Sequence, residues 1–348
     1  MRYVDSSRVA AEWVCPKSRY WGYEYAEKGL TPVESNPDLS FGLAIAEQVQ
    51  RLRTNQPLVN PPGTQEGVLE MGLLLAYAAR IWPTWLAEFD VVATELEGQY
   101  ALSSDVRYMA RPDAVLRRKH DHTIWVLSDK TTSLDSQRFT QLWDKHAQNH
   151  AECVCVEEQL GVEVAGFYTQ GWQKGYKKAG TIYSPLAYAW HSQVAKEGYT
   201  EGSRKSDWRS TYMYGWTRRL VKDYPGGIAA WVAQLPLATV LDQFPVAGPI
   251  PLRRDLVDTY FEQILAREMA VAAAHWHHHG QPMFDTTHLY PQHFANCDEY
   301  GKYRRPCEFK SCCWAPTVGR DPVGSGLYQM RVPHHAVESE AFRGKVSV

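Results

Sequence analysis

Hydrophobic and polar residues follow helical spacing in the first quarter of the chain and form shorter, strand-like runs after it. Apolar positions three and four residues apart predict helices over 6–25, 40–53 and 66–81. Runs rich in β-branched and aromatic residues then predict strands around 91–95, 100–109, 113–118 and 123–130.

Helical spacing returns in the second half of the chain. The pattern predicts a helix over 136–160, an apolar strand over 162–169 and a helix over 253–277. Between them, residues 174–222 carry ten Lys/Arg against three acids, a local net charge of +7, with Trp and Tyr interleaved. Such a segment suits a groove in which cations follow phosphates and rings stack on bases. A solvated surface over core aromatics is the alternative interpretation.

Composition places the chain among ordinary globular proteins. Its 348 residues are 44% apolar and 22% charged, which permits a substantial core and excludes intrinsic disorder. A total of 37 Lys/Arg against 39 Asp/Glu excludes a polycation drawn to nucleic acid by bulk charge. The chain has no apolar run of about 18 residues and no signal-peptide pattern at its start, so we expect a soluble, cytoplasmic protein with no membrane partner.

The predicted strands at 113–118 and 123–130 frame a recognisable motif, ARPDAVLRRKHDHTIWVLSDKTTS. Pro112-Asp113 on one strand and Lys130-Thr131-Thr132 at the end of the next resemble the RecB-like branch of the PD-(D/E)XK nuclease superfamily. The resemblance implies an α/β, restriction-endonuclease-like core, in which a central mixed sheet is flanked by helices. It also implies metal-dependent hydrolysis of DNA phosphodiesters, with Mg²⁺ or Mn²⁺ held by carboxylates and a lysine that assists the attacking water.

The chain departs from this motif at the acid two residues before the lysine, where it has Ser128. Asp129 lies one residue further on, and alternation along a strand points it to the opposite face unless the strand bulges. Three alternatives follow. A bulge brings Asp129 to the metal, or Asp113 shares the metal with a backbone carbonyl and a carboxylate from elsewhere, or the site is impaired.

Four further residues are candidates for the site. The RecB-like branch has a His or Glu on a helix before the core strands, and Glu70 matches it as a further metal ligand, with Glu95 as a weaker candidate. The branch also has a Gln on the helix after the lysine strand. Gln148 is the best match by distance, and Gln141 is its rival.

Seven cysteines form a second pattern, because four of them lie near the C-terminus. One Cys before the nuclease core and three after it resemble the iron-sulfur nucleases of the same branch, including CRISPR-associated adaptation nucleases and AddB-type nuclease domains. The resemblance implies a [4Fe-4S] cluster, which usually takes four thiolates. Its ligands would be Cys15, Cys297, Cys307 and Cys312, with Cys313 as an alternative to Cys312. Zinc and free thiols are the competing interpretations.

The remaining thiols and a histidine run receive no role in the site. Cys153 and Cys155 lie on the Gln148 helix, where free Cys behaves as a small apolar residue. The histidines within 275–279 point in diverging directions on a helix, and we interpret them as a solvated helix end.

These observations predict one nuclease-like domain over 1–348. Residues 1–60 are expected to form an N-terminal helical segment with the first cluster Cys, and residues 61–170 the nuclease core. A basic, aromatic and helical region at 171–290 follows. The last parts are a Cys-rich segment at 291–320, in which the cluster joins the two chain ends, and a tail at 321–348. The implied function is that of an exonuclease-like DNA nuclease in recombination, repair or CRISPR and phage DNA processing. Single-stranded DNA or duplex ends would be its substrate, with recombination or CRISPR proteins as candidate partners. The alternatives are a catalytically impaired DNA-binding protein with the same fold and cluster, and a zinc-stabilised interaction module.

Overall fold

The computed structural model describes most of the chain and divides it into two compact units. The described residues are 1–34, 37–57, 65–132, 136–173, 244–277, 290–293, 307–333 and single positions or pairs at 230, 232–233, 237–238, 241, 297 and 335. The terminal unit comprises Met1–Asn36, Glu97–Ala110 and Arg254–Val348. The sheet unit comprises Pro37–Leu96 and Arg111–Arg253, which includes most of the expected nuclease core.

The sheet unit contains a five-stranded mixed sheet with helices on both faces. Its strands are β3 (Phe89–Thr94), β6 (Ala114–Arg118), β7 (Ile124–Thr132), β8 (Val164–Gln173) and β9 (Val246–Pro251), in the order β3-β6-β7-β8-β9. Strands β7 and β8 are parallel, and the other pairs are antiparallel. The helices are α3 (Pro37–Arg53), α4 (Gln65–Glu88), α5 (Ser136–Thr140) and α6 (Ala147–Leu160). The predicted α/β class with a mixed sheet flanked by helices is therefore confirmed.

Alternation along the central strands creates two cores, one on each face of this sheet. Trp125 and Leu127 pack with residues of α3 and α4, whereas Val126 packs with residues of α5 and α6. Because side chains two apart on a strand share a face, Ser128 lies on the α6 face and Asp129 on the opposite one. This alternation positions every candidate side chain on β7.

The terminal unit is built from short elements. Its strands are β1 (Arg2–Asp5), β2 (Leu30–Pro32), β4 (Gly98–Ala101), β5 (Val106–Ala110) and β10 (Tyr328–Met330), which form the sheets β1-β5-β4 and β10-β2. Its helices are α1 (Ser6–Val14), α2 (Pro16–Arg19), α7 (Arg254–His277), α8 (Lys310–Trp314) and α9 (Pro316–Arg320). In the described parts of the chain, no helix combines the length and apolar character needed to cross a membrane.

Three predicted elements are each divided into two in the structure, by a residue in an extended conformation or by a turn. The helix expected over 6–25 ends where Cys15 adopts an extended conformation, and Pro16 begins the next helix. The strand expected over 100–109 is the hairpin β4–β5, because Ser103 caps the turn through its side-chain oxygen. The helix expected over 136–160 is divided into α5 and α6.

Candidate functional site

The candidate site lies where β6 begins and β7 ends. Asp113 immediately precedes β6, and Lys130 is three residues from the end of the nine-residue β7. The pairing of Ala114 with Leu127 brings Asp113 beside Ser128 and Asp129. The backbone N–H of Asp129 donates a hydrogen bond to Asp113 Oδ2 at 2.6 Å. The structure thus brings Asp113 and Lys130 of the predicted motif together at the end of the sheet where β6 begins and β7 ends.

Asp113 is held in surroundings that disfavour its charge. Burial and, next in size, the Asp129 carboxylate raise the pKa of Asp113, and these effects outweigh the opposing influence of Lys130 and Arg53. A carboxylate in this state is stabilised by any further cation that approaches it. An added cation close to Asp113 would therefore stabilise the charged form of its carboxyl group.

Lys130 is the cation of the site that has no fixed partner. Its residue is partly buried, and its ammonium group makes no hydrogen bond or ion pair with the described residues. Its charge nevertheless acts on Asp113 and on the imidazole of His146, where burial and then Lys130 lower the pKa. Lys130 can therefore interact with a water molecule or a phosphate.

Asp129 faces away from this side of the sheet. Its carboxylate accepts two contacts from Arg53, with Nη1 2.5 Å from Oδ2 and Nη2 2.9 Å from Oδ1. The indole N–H of Trp172 donates to Oδ1 at 2.9 Å. Strand β7 pairs with β8 in continuous register from Trp125 onward, so no bulge turns Asp129 toward the α6 face. Of the three alternatives for Asp129, the bulge is not the one that the structure adopts.

A different carboxylate occupies the α6 face. Ser128 is 1% exposed, and its hydroxyl donates to Glu152 Oε2 at 2.6 Å. The amide of Gln148 donates to Glu152 Oε1 at 2.9 Å. Both Gln148 and Glu152 lie on α6, four residues apart and therefore on one side of the helix. Gln141 is exposed and lies before that helix, outside this group.

Glu152 is the site residue that sequence reasoning missed. It is only 5% exposed, and it lies in the helical segment AECVCVEE, one residue before the buried Cys153. One signal was available, since an acid four residues after Gln148 shares its side of the helix. The contact with Ser128 is tertiary and cannot be deduced from spacing along the chain.

The two other carboxylate candidates are not joined to this group by the described contacts. Glu70 lies in α4, and its side chain is outside the described residues. The Glu95 carboxylate pairs with Arg111 Nε at 2.9 Å. The backbone N–H of Glu95 donates to the carbonyl oxygen of Asp113 at 3.3 Å, and the Glu95 carboxylate interacts with the charges of Asp129 and Arg53.

The acidic residues suit a hard cation that keeps much of its water. Within the described residues, no group of three or more His, Cys, Asp or Glu side chains lies close enough to hold a metal ion. Magnesium is commonly bound by one or two carboxylates and several waters. Asp113, which interacts with the charge of Lys130, and Glu152, on the α6 face, are two carboxylates of the kind that Mg²⁺ and Mn²⁺ take as ligands.

The C-terminal cysteines and Cys15 all lie in the terminal unit as free thiols. The sulfur of Cys15 accepts a hydrogen bond from the backbone of His293 at 3.4 Å, and that of Cys297 accepts one from Gln292 Nε2 at 3.3 Å. The N–H of Cys307 donates to the carbonyl oxygen of Cys297 at 3.0 Å. These thiols lie in the same unit, but the described Cys side chains are not close enough together to hold a metal ion.

The adjacent thiols of Cys312 and Cys313 have different surroundings. Cys312 is 5% exposed, and burial raises the pKa of its thiol to about 12. Cys313 accepts a hydrogen bond from Trp21 Nε1 at 3.3 Å, and its thiol is also influenced by Lys17 and by the thiols of Cys15 and Cys297. The electrostatic surroundings therefore associate Cys313, rather than Cys312, with Cys15 and Cys297.

Some predicted features lie outside the described residues. These are the whole basic stretch 174–222, the side chains of His275 and His277, and all of residues 278–279. Cys153 and Cys155 are fully buried in α6, in agreement with their interpretation as small apolar residues.

Neither protein-family models nor curated proteins give a match to this chain. Function is therefore inferred from the side chains of the site and from the sequence motif.

Proposed function

We propose that the chain is a metal-dependent DNA nuclease of the PD-(D/E)XK superfamily, with the sheet unit as its RecB-like core. The observation that carries this proposal is the 2.6 Å hydrogen bond between Ser128 and Glu152. Ser128 stands where the superfamily has its second acid, and Glu152 brings a carboxylate to that position from α6. The site would then keep two carboxylates and a lysine even though its motif has lost one acid.

Each residue of the group has a chemical role in phosphodiester hydrolysis. Asp113 and Glu152 would hold Mg²⁺ or Mn²⁺, which supplies polarisation of the phosphoryl oxygens and a bound water of lowered pKa. Lys130 would orient the attacking water or neutralise charge that develops on the phosphate. Gln148 keeps Glu152 in place through its 2.9 Å hydrogen bond. Asp129 has no part in metal binding here, because Arg53 and Trp172 occupy its carboxylate.

A DNA substrate is supported by the motif and by the +7 charge of residues 174–222. Single-stranded DNA and duplex ends remain the proposed substrates, and recombination, repair or CRISPR-related proteins the proposed partners. The departure at Ser128 favours a second candidate function, a DNA-binding protein that has this fold but does not cleave.

The decisive experiment is a cleavage assay on end-labelled single-stranded and duplex DNA with Mn²⁺ or Mg²⁺. We expect cleavage by the wild-type protein and its loss in Asp113→Asn. Asp121→Asn is the matched control, because Asp121 lies in the β6–β7 turn and pairs with Arg118 away from the site. Unchanged cleavage by Asp113→Asn would reject the assignment of the site. DNA binding without cleavage under any metal would establish the second candidate function.

A [4Fe-4S] cluster in the terminal unit is proposed on the donor chemistry of its thiols. Sulfurs of Cys15, Cys297 and Cys313 accept N–H hydrogen bonds, which stabilise thiolate charge. We therefore favour Cys313 over Cys312 beside Cys15, Cys297 and Cys307. In this structure the four sulfurs do not form a closed site, so no step of the nuclease reaction depends on a cluster.

Metal analysis of anaerobically purified protein tests this part of the proposal. We expect about four iron atoms per chain on the stoichiometry of such a cluster, with absorbance in the visible, and a loss of iron in Cys313→Ser that exceeds the loss in Cys312→Ser. Cys155→Ser is the control for a buried thiol outside the terminal unit. Stoichiometric zinc without iron would identify a zinc site, and no bound metal would identify free thiols.

A further inference from the structure

We propose that Arg53 is a positioning residue for the metal site, acting through Asp129. This inference rests on the proposed function, because it assumes that Asp113 holds a metal ion. Arg53 ends α3, and Asp129 lies on β7, so the pair joins a helix to the strand that carries Lys130. The motif gave Asp129 the role of a ligand and gave Arg53 none.

The contacts form a chain from Arg53 to Asp113. Both side chains of the Arg53–Asp129 pair are buried, with exposed fractions of 2% and 4%, and the guanidinium contacts both carboxylate oxygens. Trp172 adds an N–H donor to the same carboxylate. With its side chain held on one face, Asp129 presents its backbone N–H to Asp113 Oδ2 at 2.6 Å. This hydrogen bond fixes one oxygen of Asp113 and limits the rotation of its carboxylate.

The charge of Arg53 also matters to the site. Without it, the buried Asp129 carboxylate would be an uncompensated anion on the residue whose backbone N–H binds Asp113. Arg53 neutralises that anion through contacts to both of its carboxylate oxygens. The pair therefore retains the backbone donor of Asp129 while offsetting the charge of its side chain.

A purely structural role explains the pair less well. Arg53 is enclosed by apolar side chains that include Trp82, Trp85 and Trp172, and its guanidinium lies 4.9 Å from the centre of the Trp82 ring. Its Nε is buried without a hydrogen-bond partner among the described residues. A buried ion pair is often no more stabilising than apolar residues of similar volume. Because Arg53 Nε is unpaired among the described residues and the ion pair lies beside aromatic rings, we infer that the Arg53–Asp129 pair serves the site rather than stability.

The test measures Mn²⁺ affinity directly, by the loss of the free-ion electron paramagnetic resonance signal, together with the Mn²⁺ dependence of cleavage. Partners that orient a metal ligand typically contribute 10- to 100-fold in metal affinity or activity. We expect Arg53→Lys to bind Mn²⁺ about 10- to 100-fold more weakly. Its cleavage rate should be restored by saturating Mn²⁺, since no group that touches the metal has changed.

Two further variants keep this test decisive. Arg51→Lys is the matched control, because Arg51 lies on the same helix and forms an exposed pair with Glu47, and it should bind Mn²⁺ as the wild type does. If Arg53→Lys fails to fold, Trp172→Phe removes one donor to Asp129 while keeping an aromatic ring, and we expect about tenfold weaker binding.

The possible results separate this inference from the proposed function. Wild-type affinity for Mn²⁺ in folded Arg53→Lys, or in Trp172→Phe where Arg53→Lys does not fold, would overturn the positioning role. Wild-type protein that binds Mn²⁺ without cleaving DNA would overturn the proposed nuclease function, and weaker binding by the variant would still support the role of Arg53. Absence of Mn²⁺ binding to the wild type would overturn both.

Discussion

Two partly buried carboxylates, Glu24 in the terminal unit and Asp113 in the sheet unit, have pKa values shifted in opposite directions. Burial raises the pKa of each. At Glu24 the charges of Arg8, Arg19 and Arg2 outweigh it and lower the pKa to about 2. At Asp113 the nearby cations do not outweigh burial and the charge of Asp129, so the pKa stays raised. Described arginines outweigh burial at Glu24, whereas the described cations near Asp113 do not.

The surroundings of Glu24 form a closed network of ion pairs. Arg19 is 1% exposed and contacts Glu268 at 2.5 Å, Glu24 at 3.1 Å and Glu12 at 3.6 Å. Arg2 contacts Glu268 at 3.0 Å, and other basic side chains complete the set. In the sheet unit, by contrast, Asp113 and Glu152 accept hydrogen bonds, and neither forms an ion pair with another described residue. The charge of Glu24 is therefore balanced by structural ion pairs, whereas an added cation would balance the charges of Asp113 and Glu152.

The largest expected effect is on catalysis. Glu152→Gln removes a proposed metal ligand while keeping the hydrogen bond from Ser128, and we expect cleavage to fall by about 1000-fold or more. The exposed Glu158, on the same helix, provides the matched control as Glu158→Gln. Single-turnover rates at fixed Mn²⁺ measure the effect. Activity within a few-fold of wild type would remove Glu152 from the site and leave Ser128 without a substitute for the missing acid.

A large effect on stability is expected in the terminal unit. Arg19→Met leaves three carboxylates without their shared cation, and loss of one partner from a buried ion pair typically costs about 3–5 kcal/mol. Chemical denaturation followed by fluorescence measures the change. Arg51→Met, which breaks an exposed pair, should cost less than about 1 kcal/mol. Equal effects of the two variants would mean that burial does not distinguish the network.

The pH dependence of stability gives an intermediate effect. Because the pKa of Asp113 is raised in the folded state, the folded protein retains a proton that the unfolded chain loses above about pH 4. The contribution of Asp113 to stability therefore decreases as pH rises from about 4 toward its folded-state pKa of about 7. A tenfold change in proton affinity is worth about 1.4 kcal/mol.

Comparison with Asp113→Asn isolates this contribution in metal-free protein. We expect the free energy of unfolding of the wild type to fall relative to that of Asp113→Asn between pH 4 and pH 7, and excess Mn²⁺ to reverse the difference for the wild type alone. A constant difference across this range would show that Asp113 ionises normally, as a compensated carboxylate does.

The smallest effect is expected from the hydroxyl that joins β7 to α6. Ser128→Ala removes the donor to Glu152 but leaves Gln148 in place, so cleavage should fall by no more than about tenfold, equivalent to about 1.4 kcal/mol. The same single-turnover assay measures it. A loss as large as that of Glu152→Gln would indicate that Ser128 contacts the substrate or metal itself.

Local pattern was sufficient to predict the strands that carry Asp113 and Lys130, because the alternation of β7 and the Pro-Asp motif are short-range features. It also correctly placed Asp129 on the opposite face in the absence of a bulge. The contact between Glu152 and Ser128 depends on how α6 packs on β7, which spacing along the chain does not reveal. The choice between Cys312 and Cys313 likewise depends on Trp21, nearly 300 residues away.

The most direct test of the central claim is the Mn²⁺ dependence of DNA cleavage in wild type, Asp113→Asn and Glu152→Gln, measured under single-turnover conditions with Asp121→Asn as control. Two uncompensated carboxylates that share a cation predict a saturable Mn²⁺ response in wild type and Asp121→Asn, and no response in the other two variants. A wild-type response in either Asp113→Asn or Glu152→Gln, or no cleavage by the wild type itself, would contradict the account.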